Sequence, residues 1–91
     1  MISAQHFVYI LISEKDHKLY VGCTSNLQTR LSAHNKGLVT ATKNRRPLFI
    51  IYSEEFKDAD EAYKREKYLK SLWSARFKEN LKKEYLQNVA Q

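Results

Sequence analysis

The sequence predicts an α+β fold: a small three-stranded, mostly antiparallel sheet flanked by helices, in the order β-β-α-β-α-α. Three observations predict it. Short runs rich in aromatic and β-branched residues read as strands at Phe7–Ile12, Leu19–Thr24 and Leu48–Tyr52. Only the polar, turn-like Ser13–Lys18 separates the first two, which makes them a hairpin. Apolar stripes of helical period follow the hairpin and the third strand.

Within the hairpin, four unpaired loop residues at the tip would bring Tyr9 and Tyr20 near each other on one face. The next helix opens with Ser25 and Gln28, a capping-box pattern, and Gly37 supplies its stop. Leu27, Arg30, Leu31 and His34 share one stripe of that helix, so its inward face carries two polar groups. Leu38–Arg46 reads as a basic loop or short helix in which Thr40 and Thr42 are loop hydroxyls. Leu48–Tyr52, after Pro47, is almost continuously apolar, as expected of a strand covered on both faces. Asp58 and Glu61 then open a helix through Trp73 with Ala59, Ala62, Leu69 and Trp73 on its apolar stripe. Ser74 is the expected cap of a last helix bearing Phe77, Leu81 and Tyr85, and fraying is expected after Leu86. At 91 residues the chain is expected to form a single domain over 1–91. Its motif-bearing core spans about 7–72 and its C-terminal helix about 74–86.

The formal net charge is +6. No acidic residue lies between Asp16 and Glu54, while Lys18, Arg30, Lys36, Lys43, Arg45 and Arg46 do. An excess confined to one segment predicts a basic patch, for which nucleic acid is the leading partner. Lys36, Lys43, Arg45 and Arg46 are its candidate contacts. The lone Cys23 cannot form an internal disulfide, which suits a reducing cytoplasm. Phe7–Ile12, the longest apolar run, is too short to span a bilayer, and no signal-peptide pattern precedes it. A cytoplasmic location without membrane association is expected.

Glu66 interrupts the apolar stripe of its helix, between Ala62 and Leu69. A carboxylate on a buried face is costly unless a counter-charge or a cation meets it. The other inward polar groups are Tyr9, Tyr20, Arg30 and His34. Together the five suit a phosphodiester. A hard divalent cation is often held by one or two carboxylates plus phosphate oxygens and waters. Arg30 could fork onto the non-bridging oxygens, and a tyrosine could take a proton from water. The structural alternative is an ion pair of Glu66 with Arg30.

Val8-Tyr9-Ile10 and Tyr20-Val21-Gly22 resemble the two halves of the motif that names the GIY-YIG nuclease superfamily. The likeness continues through Gly22-Cys23-Thr24-Ser25-Asn26-Leu27-Gln28-Thr29-Arg30, and Ala62–Lys70 resembles the family's helix with the metal-binding glutamate. The chain is most similar to small stand-alone members that resemble the N-terminal nuclease domain of the bacterial excinuclease C subunit. The resemblance implies a metal-dependent DNA endonuclease using Mg²⁺ or Mn²⁺, with DNA repair or recombination as the setting. It implies Glu66 as the metal ligand, Arg30 as the phosphate-binding cation, and Tyr9 or Tyr20 as the base, with His34 orienting it. Gly22 and Asn80 take supporting positions. The chain departs from the pattern at Val8, where glycine is usual, and at Cys23, where excinuclease-type members carry lysine. These departures leave room for a nucleic-acid-binding module with little or no catalysis, or for a subunit that requires a protein partner.

Overall fold

Alternation along β1 (His6–Ser13) dictates the layering of the molecule. Val8, Ile10 and Ile12 point to one face and Tyr9 and Leu11 to the other, and all five are essentially inaccessible. β1 is therefore the centre of an antiparallel sheet, with β2 (Leu19–Thr24) on one side and β3 (Leu48–Phe56) on the other. The computed structural model describes residues 5–89.

The expectation that β3 is covered on both faces is not met. It is an edge strand, and the doubly covered strand is β1. The apolar run in β3 has another cause. Ile10 pairs with Tyr52 and Leu11 with Ile50, so the register shifts around Ile51. Leu48 and Ile50 then serve the Tyr9 face, while Ile51, Tyr52 and Phe56 serve the Val8 face. A run of apolar residues feeds two cores from one edge.

Helix α1 (Leu27–Asn35) lies against the Tyr9 face, where Leu27 and Leu31 pack. Its cap is Asn26, not Ser25: the Asn26 carboxamide oxygen accepts from the Thr29 amide at 3.1 Å. Asparagine and serine cap about equally well, so the sequence pattern did not separate them. At the other end Gly37 N–H donates to the His34 carbonyl and Leu38 N–H to Ala33, the paired bonds of a Schellman stop. Gly37 has φ of +80°, which accounts for a glycine there. The following segment contains a 3₁₀ turn, Lys43–Arg45, before β3.

Helix α2 (Ala59–Lys70) and helix α3 (Ala75–Val89) cover the Val8 face through Ala62, Leu69, Phe77 and Leu81. Asp58 caps α2 as expected, accepting from Asp60 N–H at 2.8 Å. Two expectations fail just beyond it. Ser71, extended at φ −91° and ψ 167°, ends the helix three residues before the sequence stripe does, and Trp73 is 88% exposed. Ser74 is buried, and its hydroxyl donates back to the Leu69 and Ser71 carbonyls instead of capping α3. α3 also runs to Val89, past the expected end at Leu86; the rest of the tail, residues 90–91, lies outside the described residues.

Candidate active site

The hairpin register opposes Tyr9 to Gly22 and Leu11 to Tyr20. The two tyrosines are thus diagonal neighbours on one face, with ring centroids 6.4 Å apart. Tyr9, on the central strand, is 2% exposed; Tyr20, on the edge strand, is half-buried. The Tyr9 ring lies flat across β2 because Gly22 has no side chain. A Cβ there would run into Tyr9 Oη and Cζ.

Helix α1 is held over this face at its C-terminal end. Asn35 donates to the Leu48 carbonyl at 3.0 Å and accepts from the Leu48 amide at 2.8 Å, clamping the helix to the start of β3. The clamp holds His34, one turn after Arg30 on the same helix, over the sheet. His34 Nε2 lies 3.0 Å from Tyr9 Oη, and Nδ1 lies 2.7 Å from Thr42 Oγ1. His34 and Thr42 are both fully buried. The imidazole also meets Tyr20 edge-on, with centroids 5.0 Å apart.

Burial, and next the Arg30 charge, push the His34 pKa below its ordinary value, so the ring is neutral near neutral pH. A neutral imidazole has one donor and one acceptor, and both are used here. Burial raises the Tyr9 phenol. Hydrogen bonding to Arg30 partly offsets this, while Tyr20 and Glu66 add to the rise. Arg30 is held still more firmly in its charged form, chiefly by the Tyr9 phenol and also by Tyr20. The guanidinium therefore stays charged and able to meet an incoming anion.

Glu66 is carried by α2, which packs on the Val8 face, and it acts on the Tyr9 group through its charge. Helix α2 packs across β1 and β2, and the carboxylate influences both the Tyr9 phenol and the Cys23 thiol electrostatically. Its direct partner is Lys70, one turn on, at 2.9 Å. Arg30, the structural alternative read from the sequence, does not pair with it. The Glu66 side chain retains 19% exposure, so the carboxylate is accessible, not sealed. Among the described residues no group of three or more His, Cys, Asp and Glu side chains converges. The donor set is one carboxylate. It does not fit a caged zinc or calcium site, but it fits a hard cation that takes its other ligands from phosphate and water. Cys23 packs against the Val8 core and its thiol is pushed up by burial, as for a small core residue.

The remaining sequence candidates are dispersed. Asn80 is exposed and lines a shallow groove on α3 with Glu79, Lys82, Lys83 and Leu86, on a helix that packs against the Val8 face. Lys43 and Arg46 line a second open groove with Lys15 and Asn44. Arg46 Nε donates to the Lys43 carbonyl, and its guanidinium covers Gly37. Arg45 is paired with Asp16 at 3.3 Å, and Lys36 faces a third groove beside Ser32 and Leu38. Sequence reasoning missed Thr42 and Asn35. Both are polar residues at loop or helix-end positions, and no spacing rule distinguishes them from solvated neighbours.

Residues 5–80 match the family model of the GIY-YIG catalytic domain. The chain belongs to the GIY-YIG family. It is 42% identical over 70 residues to the UPF0213 protein SH2523 of Staphylococcus haemolyticus, covering 76% of this chain and 84% of that one. It is 38% identical over 73 residues to the UPF0213 protein YazA of Bacillus subtilis, covering 79% of this chain and 73% of that one. The solution NMR structure of the UPF0213 protein BH0048 from Bacillus halodurans is similar at a TM-score of 0.53 and 33% identity, covering 85% of this chain and 81% of that one. The family and the β-β-α-β-α-α fold implied by the Tyr9 and Tyr20 motifs are thus both found. No helix among the described residues of this GIY-YIG chain is long and apolar enough to cross a membrane.

Proposed function

We propose that this GIY-YIG chain is a metal-dependent endonuclease that hydrolyses phosphodiester bonds in DNA. The observation that carries the reading is the cluster of Tyr9, Tyr20 and His34 on one sheet face, within electrostatic reach of Arg30 and of the accessible Glu66 carboxylate. Arg30 binds the non-bridging phosphate oxygens, where negative charge grows as the bond breaks. Mg²⁺ or Mn²⁺, held by Glu66 together with the scissile phosphate, would polarise the phosphorus and stabilise the leaving oxygen. Tyr20 takes the proton of the attacking water, because it is the accessible phenol of the pair. Tyr9 is enclosed and its oxygen is engaged by His34, so it orients the imidazole and Arg30. Thr42 fixes the far side of the same imidazole. Lys36, Lys43 and Arg46 guide the flanking phosphates. A DNA repair or recombination setting and a cytoplasmic location accord with this reading.

A second reading, a DNA-binding module with little catalysis, has one observation in its favour: Lys70 occupies the Glu66 carboxylate that the metal requires. The two separate on branched, nicked and plain duplex DNA supplied with Mg²⁺ or Mn²⁺. The endonuclease cleaves at least one of them, Tyr20→Phe abolishes the cleavage, and Tyr9→Phe slows it. Binding without cleavage of any substrate would favour the module, and loss of activity in Tyr9→Phe alone would reverse the two tyrosine roles.

A further inference from the structure

The turn that carries α2 into α3 presents a large apolar pair to solvent. Leu72 is 92% and Trp73 88% exposed, with Tyr68 at 41% beside them. Exposure of this kind on a small protein marks a contact surface. The turn is also braced. Ser71 Oγ donates to the Tyr68 carbonyl at 2.6 Å, buried Ser74 Oγ to the Leu69 and Ser71 carbonyls at 3.0 Å, and Tyr68 Oη to the Trp73 carbonyl at 3.4 Å. Trp73 is thus held outward by a preorganised backbone.

Charge indicates the occupant. Lys67, Arg76 and Lys78 flank the turn in sequence. Glu66 is the sole acid between Glu61 and Glu79, and it is already paired with Lys70. An exposed indole on a segment rich in cations suits stacking of an unpaired base with its phosphates gripped alongside.

We propose that Trp73, with Leu72 beside it, is a stacking platform for an unpaired nucleobase of single-stranded or branched DNA. The proposal rests on the DNA reading above and adds a substrate class to it. Trp73 is the only tryptophan, so its emission reports the contact directly. The full chain is titrated in EDTA with oligothymidylate, an abasic strand of equal length and a blunt duplex, and anisotropy of labelled copies reports binding in parallel. Emission falls in step with oligothymidylate binding, and the abasic strand binds without quenching. Trp73→Ala weakens oligothymidylate roughly 5- to 150-fold and leaves duplex binding within about two-fold. Saturated oligothymidylate binding with unchanged emission, or undiminished binding by Trp73→Ala, overturns the platform and leaves the DNA reading intact. Absence of binding to all three overturns both. A blue-shifted emission that grows with protein concentration, with dimers in sedimentation, overturns the platform by placing a second copy on it.

Discussion

At His34, burial and two hydrogen bonds hold a neutral imidazole between Tyr9 and Thr42, and this controls how the site responds to substitution and to acid. Thr42→Val keeps the shape but leaves Nδ1 without its partner, an expected loss of about 1–3 kcal/mol for a buried polar group. Thr42→Ser retains the hydroxyl and recovers most of it; denaturant unfolding of the two variants checks this. The pH response has a fixed sign. The folded-state pKa of His34 is lowered, so above about pH 6.5, the ordinary histidine value, neither folded nor unfolded chain carries the proton. As pH falls from there towards the folded value, the unfolded chain binds more protons and stability is lost. The melting temperature therefore declines on acidification from neutral, and His34→Gln flattens that decline. Tyr9, Tyr20, Arg30 and His34 were legible in the sequence because each lies on a periodic stripe or in a named motif. Thr42 was not, because it approaches His34 through the fold of an irregular loop.

Helix α2 separates a structural role for Glu66 from a chemical one. Its Lys70 pair is an i,i+4 pair on a partly exposed surface, and such pairs contribute about 0.3–0.5 kcal/mol. Glu66→Gln is accordingly expected to change stability by less than about 0.5 kcal/mol while removing metal-dependent cleavage. A loss of several kcal/mol in chemical denaturation would mark the carboxylate as structural. The same helix marks the limit of stripe reading. Leu69 and Trp73 share a helical spacing, yet Leu69 is fully buried and Trp73 exposed, because the extended backbone at Ser71 breaks the period between them. Nothing in the Lys70-Ser71-Leu72 sequence signals that break as a glycine or proline would. In β3 the apolar run was legible as a strand, but its edge position depended on pairing partners that only the whole sheet defines.

Over the whole molecule, the basic segment folds into several cationic sites of unequal strength. Arg45 is tied to Asp16, whereas Lys43 and Arg46 line an open groove with Lys15. Each phosphate contact removed should lower the salt slope of DNA binding by about one. Arg46→Ala and Lys43→Ala should each do so, and Arg45→Ala should do less. An equal effect of all three on the slope would show that the Asp16 pair does not persist on DNA. The acid-free interval between Asp16 and Glu54 made a basic surface legible, but not the internal pairing that divides it. Metal-dependent hydrolysis at this site is measured most directly as cleavage of branched DNA across a Mg²⁺ titration by the wild-type chain, Glu66→Gln and Arg30→Ala. Saturable, metal-dependent cleavage is expected of the wild type alone, with all three proteins folded and DNA-bound. Cleavage that persists in Glu66→Gln at the same Mg²⁺ dependence would contradict this expectation.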